Sequence, residues 1–545
     1  VDTLGRCLFW ICLAAAWLGQ AARAADSGEP VPSFAELEAA GAVIGEIRID
    51  PQDIFDESDP RENYGLYKLL NVLHIQTRAT VIRRQLLFRS GERVSLRLID
   101  ETERLLRANS YLYDVRILPV AFRNGAVDIE VRTRDSWSLQ PGASYSRGGG
   151  VDTSGVSLEE KNFLGTGVSV SVATSSTVDR SGQEFEIQHN QVFGNWTAFS
   201  YKKADYSDGS AESVSLARPF YALDARWALG GSAASFDRID SLYSGGVISS
   251  QYRHQQRSGQ VYGGWSKGLI DGWVHRYSVG ASYQEDTYLA EPGRTPPAEL
   301  PPDQTLAYPF LRYEVIEDNY VKVINRDRIG RPEYFALGWN ATLQLGRSLT
   351  AWGATRDLWL YAGALGRGFR LENGGDLLAN LSFSGQSADG RSERQFLGAS
   401  ARYFLQHGPR NVFYASVSAD AVRNPQVSDL LTLGGDNGLR GYPQRYQTGD
   451  QRMLLTLEER VYTDWYPFRL IRVGAAVFYD IGRAWGGADE NTVDAGWLQD
   501  VGFGLRLSID RSSSGNVHHL DVAFPINAQG DIKKAQVLVK TYQSF

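Results

Sequence analysis

Arg440 lies in the segment Thr432 to Asp450, TLGGDNGLRGYPQRYQTGD, which interrupts a sequence that otherwise alternates. Glycines 434, 435, 438 and 441 permit tight turns around it, so the guanidinium reads as a fixed cation. Further on, the strand-like run RVGAAVFYDIGRAWG carries Asp480. One parity of that run holds Val473, Ala475, Val477, Tyr479 and Ile481; the other holds Gly474, Ala476, Phe478, Asp480 and Gly482. A sheltered arginine and carboxylate can pair through two parallel hydrogen bonds, which fixes geometry better than a mobile lysine does. Leaving either charge sheltered and alone is costly, so such a pair would hold the segment in place. The spacing leaves a second arrangement open, with Arg440 solvated at a loop tip and Asp480 simply lining a pore.

Covalent chemistry has less to build on. His74, His189, His254, His275, His407, His518 and His519 do not form a metal-spaced set, and His518-His519 falls on a strand that points adjacent rings to opposite faces. The 63 acidic residues form no constellation beyond chance. No catalytic, metal-binding or cofactor-binding residue is assigned, no cofactor is expected, and the chain is expected not to be an enzyme. A formal charge of -7 gives no basic field for a nucleic-acid backbone, so no nucleic-acid partner is expected.

The elements that must position Arg440 and Asp480 begin with an export signal. Arg6 precedes an apolar run from Cys7 to Gly19, and Ala22-Arg23-Ala24 supplies an A-x-A site. Residues 1–24 read as a signal peptide cleaved near Ala24, and 25–40 as a linker. Both cysteines, Cys7 and Cys12, fall within that signal, which leaves the mature chain no disulfide. Beyond it no stretch reaches the ~18 consecutive apolar residues of a spanning helix.

From 41 to 135 the pattern is mixed. VIGEIRI (Val43 to Ile49) reads as a strand, Thr77 to Gly91 and Ser95 to Ser110 as helices, and YLYDVRILPV and AVDIEVRT as strands around an Asn124-Gly125 turn. Asn63 to Leu73 fits an extra helix or an insertion, and the polar run before it a loop. Strand, helix, helix, strand, strand can close one sheet against two helices, with AVDIEVRT or VIGEIRI at an edge.

After Ser136 the period becomes two. In YFALGWNATLQLG, Phe335, Leu337, Trp339, Ala341, Leu343 and Leu345 share one face, and in VGFGLRLSID so do Val501, Phe503, Leu505, Leu507 and Ile509. A soluble sandwich also alternates, but many runs here reach the ~9–11 residues needed to cross a bilayer tilted. In hydrocarbon a sheet must close, because an open edge leaves peptide groups unpaired. The apolar parity is thus the expected lipid face and the glycine-rich and polar parity the lumen. At roughly 22–25 residues per strand and connection, 16 to 18 strands fit. Asp224 to Arg238 and Gln251 to Ser266 read equally as one long strand or part of a loop hairpin, and the proline-rich Glu291 to Thr305 as an extracellular loop.

Leu439-Arg440-Gly441-Tyr442 is similar to the V/I-R-G-F/Y loop motif of the Omp85 superfamily, and Phe478-Tyr479-Asp480-Ile481-Gly482 to its F-x-D-x-G strand motif. NFLGTG, Asn162 to Gly167, resembles a turn found early in such barrels, and 41–135 resembles one POTRA module. Phe545 matches the terminal aromatic, while Gln543 stands where an apolar residue is common. The resemblance spans nearly the whole mature chain. It implies an all-β transmembrane barrel of 16 antiparallel strands over 136–545, a larger one remaining open, with an inward-folded loop at 424–449, preceded by one small α+β POTRA-like periplasmic domain. It also implies a loop-to-barrel lock in which the loop arginine reaches the strand aspartate, made here of Arg440, Gly441, Tyr442, Phe478, Asp480 and Gly482. The implied function is protein transport or membrane-protein assembly in the outer membrane of a Gram-negative bacterium, non-covalent and without nucleotide. The implied partners are an unfolded or secreted polypeptide client, outer-membrane lipid and lipopolysaccharide, and a periplasmic chaperone or accessory protein. A passive diffusion or ligand-import channel on the same scaffold is the alternative.

Overall fold

The computed structural model describes residues 31–148, 151–487, 492–513, 516–526, 528 and 532–542. The expected signal peptide at 1–24 with Cys7 and Cys12, and also Gln543 and Phe545, lie outside the described residues. Two compact units interleave along the chain. One comprises Val1–Asp50, Leu87–Asp100 and Arg116–Arg132, the other Pro51–Leu86, Glu101–Val115 and Thr133–Phe545.

In the first unit, part of the expected linker is helical. Phe34–Ala39 forms a helix because Ser33 and Glu36 make a capping box: the Ser33 hydroxyl accepts from the Glu36 amide, and the Glu36 carboxylate accepts from the Ser33 amide at 2.7 Å. The strand order of the small sheet is Val43–Gln52, Ala126–Asp135, Leu112–Arg123. Asn124 and Gly125 both take positive φ, 52° and 78°, as a two-residue hairpin requires. AVDIEVRT is therefore central rather than an edge. Its hairpin partner covers one side, and VIGEIRI pairs on the other, where the Val43 amide donates to the Gly125 carbonyl at 2.9 Å. The near-continuous burial of Val127, Ile129 and Val131 fits that central place.

The second unit is dominated by a closed antiparallel barrel. Among the described residues it has twenty strands, running in sequence order from Leu139–Gly148 to Gln536–Tyr542, with the last beside the first. The expectation was sixteen with a larger barrel left open, and the larger one is found because the assumed spacing was too generous. Trp227–Ser244 and Val247–Ile270 are single strands of 18 and 24 residues, joined only by Gly245-Gly246. Asp271-Gly272 alone then separates Val247–Ile270 from Trp273–Ala290. With turns this short, more strands fit the same length. The proline-rich 291–303 stays outside the ladder.

Alternation sorts the wall. On Leu498–Ile509, Val501, Phe503, Leu505 and Ile509 are exposed, whereas Gly504, Arg506 and Ser508 are buried. On Ile471–Trp485, Ala475 and Val477 point outward and Ala476, Phe478 and Asp480 inward. An apolar outer face around a sheet that pairs its own edges is the arrangement hydrocarbon demands.

YFALGWNATLQLG departs from the expected single strand. Pro332–Ala336 and Asn340–Ser348 belong to different sheets, and the chain turns between them at Gly338, where a Cβ would meet the Glu317 carbonyl oxygen at 2.6 Å. Leu343 and Leu345 face outward, but Phe335 is buried beside Phe404. The apolar parity continues across the break, so periodicity alone does not register it.

Candidate loop-to-barrel lock

The segment 424–450 joins Asn411–Arg423 to Gln451–Tyr462 and folds on itself through a short ladder, Leu431–Leu433 with Gln447–Gly449. Asn437 shapes its tip: its carboxamide oxygen accepts from the Gly434 amide at 2.7 Å, and its nitrogen donates to the Thr432 carbonyl at 2.6 Å. Leu433, Leu439 and Tyr442 are buried with Ala484 and Leu498 of the wall, which seats the loop inside the barrel. At its rim Arg445 holds Asp179 at 3.1 and 2.9 Å. Burial pushes the Asp179 carboxyl up, but the Arg445 guanidinium and Tyr243 hydroxyl prevail and hold it below its ordinary value.

Arg440, 5% exposed, reaches three carboxylates. Its Nε and Nη2 donate to the two Asp480 oxygens at 2.7 and 2.9 Å, a bidentate pair. Its Nη1 donates to Glu458 Oε1 at 2.8 Å and to Asp521 Oδ2 at 3.1 Å. The guanidinium carbon lies 3.3 Å from the centre of the Phe478 ring, which adds a cation–π contact. Phe478 can lie there because Gly502 leaves room: a Cβ at Gly502 would meet Phe478 Cζ at 2.3 Å.

The residues flanking Arg440 complete the seat. The Gly441 amide donates to Asp500 Oδ2 at 2.9 Å, and a Cβ there would meet Asp500 Cβ at 2.7 Å. The buried Tyr442 hydroxyl lies 3.0 and 2.9 Å from the Gln499 and Ile526 carbonyl oxygens at the ends of two strands. At Gly482 a Cβ would meet the Met453 carbonyl oxygen at 2.8 Å and Leu433 Cδ2 at 3.0 Å, so loop and strand approach closely there. All six residues of the sequence motifs thus come together at one place.

Several partners carry no motif signal. Glu458 also accepts from Arg460 Nε at 2.7 Å and Arg506 Nη2 at 3.3 Å, and Asp521 from Arg506 Nη1. Thr456 donates to Asp480 at 2.7 Å. Asp500 lies directly across the ladder from Asp480. The usable signal was parity: Thr456, Glu458 and Arg460 recur every second position on one strand, placing three polar groups on one face.

No family model matches this sequence, and no curated protein does. Among solved structures the chain is similar to BamA from Haemophilus ducreyi lacking POTRA domains 1-3, at 13% identity over 92% of this chain and 85% of that one, with a TM-score of 0.38. It is also similar to CdiB from Escherichia coli, at 13% identity over 92% and 76%, TM-score 0.48. CdiB from Acinetobacter baumannii matches at 13% identity over 97% and 96%, TM-score 0.44. Strand number and lock geometry are properties of this chain itself.

The NFLGTG turn is tied into the same compact unit. Asn162 Oδ1 accepts from the Gly167 amide at 2.7 Å, Asn162 Nδ2 donates to Thr77 Oγ1 at 2.8 Å, and the Arg78 amide donates to the Gly165 carbonyl at 3.0 Å. The wall is tied likewise to the segment Pro51–Leu86: Phe55 and Tyr67 stack at 4.3 Å and are buried beside Trp137 and Leu470.

Proposed function

We propose that this chain handles unfolded or secreted polypeptides at the outer membrane of a Gram-negative bacterium, as an Omp85-type barrel that assembles or translocates them without covalent chemistry or nucleotide. The observation that carries the reading is the Arg440 cluster, which fixes a long loop inside a barrel whose outer face suits lipid. A loop held inward by charges narrows a wide lumen and gives it a defined wall.

A client strand would be received by β-augmentation on an edge of the small sheet, Val43–Gln52 or Leu112–Arg123, in the periplasm. From there it meets the lumen or the seam between the first and last barrel strands. Among the described residues the last strand, Gln536–Tyr542, has 7 residues whereas Gln451–Tyr462 has 12. Lipid and lipopolysaccharide surround the wall, and an accessory periplasmic protein delivers the client.

The test is site-specific photo-crosslinking. Probes along the two edge strands should capture an unfolded outer-membrane client, and probes on the central Ala126–Asp135 should not. Equal capture at all three strands, or none at either edge, would overturn the reading.

A further inference from the structure

Between the barrel strands Gln304–Glu317 and Asn340–Ser348 the chain leaves the wall as a hairpin, Tyr320–Ile324 paired with Pro332–Ala336. One face of it is buried against the inside of the wall through Val323, Glu333 and Phe335, while Lys322, Ile324 and Ala336 are exposed. Val323 and Phe335 pack with Phe404, the two phenylalanine rings 5.5 Å apart. At the tip Ile329 is buried with Val412, Tyr462 and Val517, which come from three other strands. Those three residues stand at strand ends, at the end of the barrel where Leu139 enters the first strand. The hairpin therefore crosses the mouth on the side where the chain enters the barrel.

Charges hold it there. Arg326, 5% exposed, donates through Nε and Nη2 to Asp376 of the wall at 3.1 and 3.0 Å. Asp327 accepts from Arg402 at 3.2 and 3.1 Å. The helix Leu96–Arg107 grips the other side: Lys322 Nζ and the Tyr334 hydroxyl donate to Glu103 at 3.0 and 3.2 Å, and Arg104 lies 4.0 Å from the Tyr320 ring centre. Arg460 links the hairpin to the lock, donating Nη1 to the Arg326 carbonyl at 3.2 Å and Nε to the same Glu458 that Arg440 holds. A cavity of about 470 Å³ lined by Asp327, Arg402, Arg440, Glu458 and Arg460 separates hairpin from loop.

We propose that residues 318–339 are a plug that closes the entry-side mouth of the barrel, and that it shares its anchorage with the Arg440 loop through Glu458 and Arg460. A barrel of this many strands has an aqueous lumen unless something fills it, and surface hairpins have no reason to bury an arginine–carboxylate pair. Opening then requires release from Glu103 on one side and from Arg460 on the other, so freeing the loop loosens the plug. This regulation rests on the translocation reading for its purpose, but the closure itself is read by ion flow, with no client present.

The test is conductance of the purified full chain in planar bilayers. In one variant residues 319–338 are replaced by Asn-Gly; the flanks already meet, since the Glu317 amide donates to the Trp339 carbonyl at 2.8 Å. The intact protein should be closed most of the time, and the excised one should carry a steady current roughly tenfold larger or more, as an unfilled lumen of this width would. Arg460→Gln in the otherwise intact chain should raise opening frequency, as should Glu103→Lys, and Lys322→Glu should reverse the Glu103→Lys effect. Equal conductance of intact and excised proteins overturns the plug, and if the excised protein does not insert, unchanged opening in both point variants does so. Client crosslinking at the edge strands stands or falls separately.

Discussion

Glu458 is a residue on which three interior arginines converge, accepting from Arg440, Arg460 and Arg506 at once. Removing one member of such a cluster leaves the others sheltered and unpaired, which costs far more than the net worth of the contact. Arg440→Ala should therefore destabilise the seated loop by about 3–5 kcal/mol, seen as protease cleavage within 424–450 and loss of heat-modifiable migration. Arg440→Lys should recover part of it, since an ammonium cannot bridge both Asp480 oxygens and Glu458 together. Unaltered protease resistance in the alanine variant would remove the lock. Glu333 in the plug carries a second consequence. Burial first, and the nearby Asp327 carboxylate second, push its carboxyl up to about 7 from an ordinary 4.5, against the Arg326 and Arg328 amides and the Arg328 charge. Tyr462 of the wall is one titratable group that faces it from outside the hairpin. A raised acid pKa means the docked hairpin holds the proton more tightly than the free one. Docking is unpenalised below the free value, weakens as pH rises toward 7, and is weaker by about 3 kcal/mol above it. Channel opening should accordingly increase between about pH 5 and about pH 8 and become nearly flat in Glu333→Gln; an identical pH response in that variant would show another group is responsible.

At the scale of the element, strands and inward segments obey different rules. A barrel strand has one face in hydrocarbon and one in the lumen, so a charge is tolerated on one parity only. Phe503 points outward and is 55% exposed, whereas its neighbour Gly504 points inward. Phe503→Arg should lower unfolding stability in detergent or lipid by about 2–4 kcal/mol near the bilayer midplane, and a cost below 1 kcal/mol would argue against hydrocarbon at that face. The loop and the hairpin instead pack inward and rely on paired charges: Arg440 is bidentate on Asp480, and Arg326 places both Nε and Nη2 on Oδ2 of Asp376. The hairpin also explains why YFALGWNATLQLG misled. Phe335 and Leu343 share a parity, but one is buried on the plug and the other lies outside, because the glycine turn between them changes sheet without changing period. In the small sheet, propensity and the Asn124-Gly125 turn sufficed to find the strands, while their order depended on which side VIGEIRI paired.

Across the whole molecule, closure is the governing constraint, and the shortest described strand of the ring is the last, which closes it against the first at a seam. The last strand offers 7 residues to that seam. Fewer ladder bonds mean a lower local opening energy, so in hydrogen exchange the amides of 536–542 should exchange before those of Gln451–Tyr462; simultaneous exchange would show that the seam is no weaker than the rest. The sequence by itself determined that the chain alternates into long strands with one apolar face and that such strands must close, whereas its spacing left the Arg440–Asp480 pairing open and only a motif resemblance implied it. These follow from local rules: period, turn chemistry, and the need to pair backbone groups in hydrocarbon. Only the tertiary structure decided that twenty strands close the ring, that Glu458, Asp521 and Arg506 complete the Arg440 cluster, and that 318–339 turns inward. Those depend on which distant strands face each other across the lumen, and no spacing within a single strand encodes that.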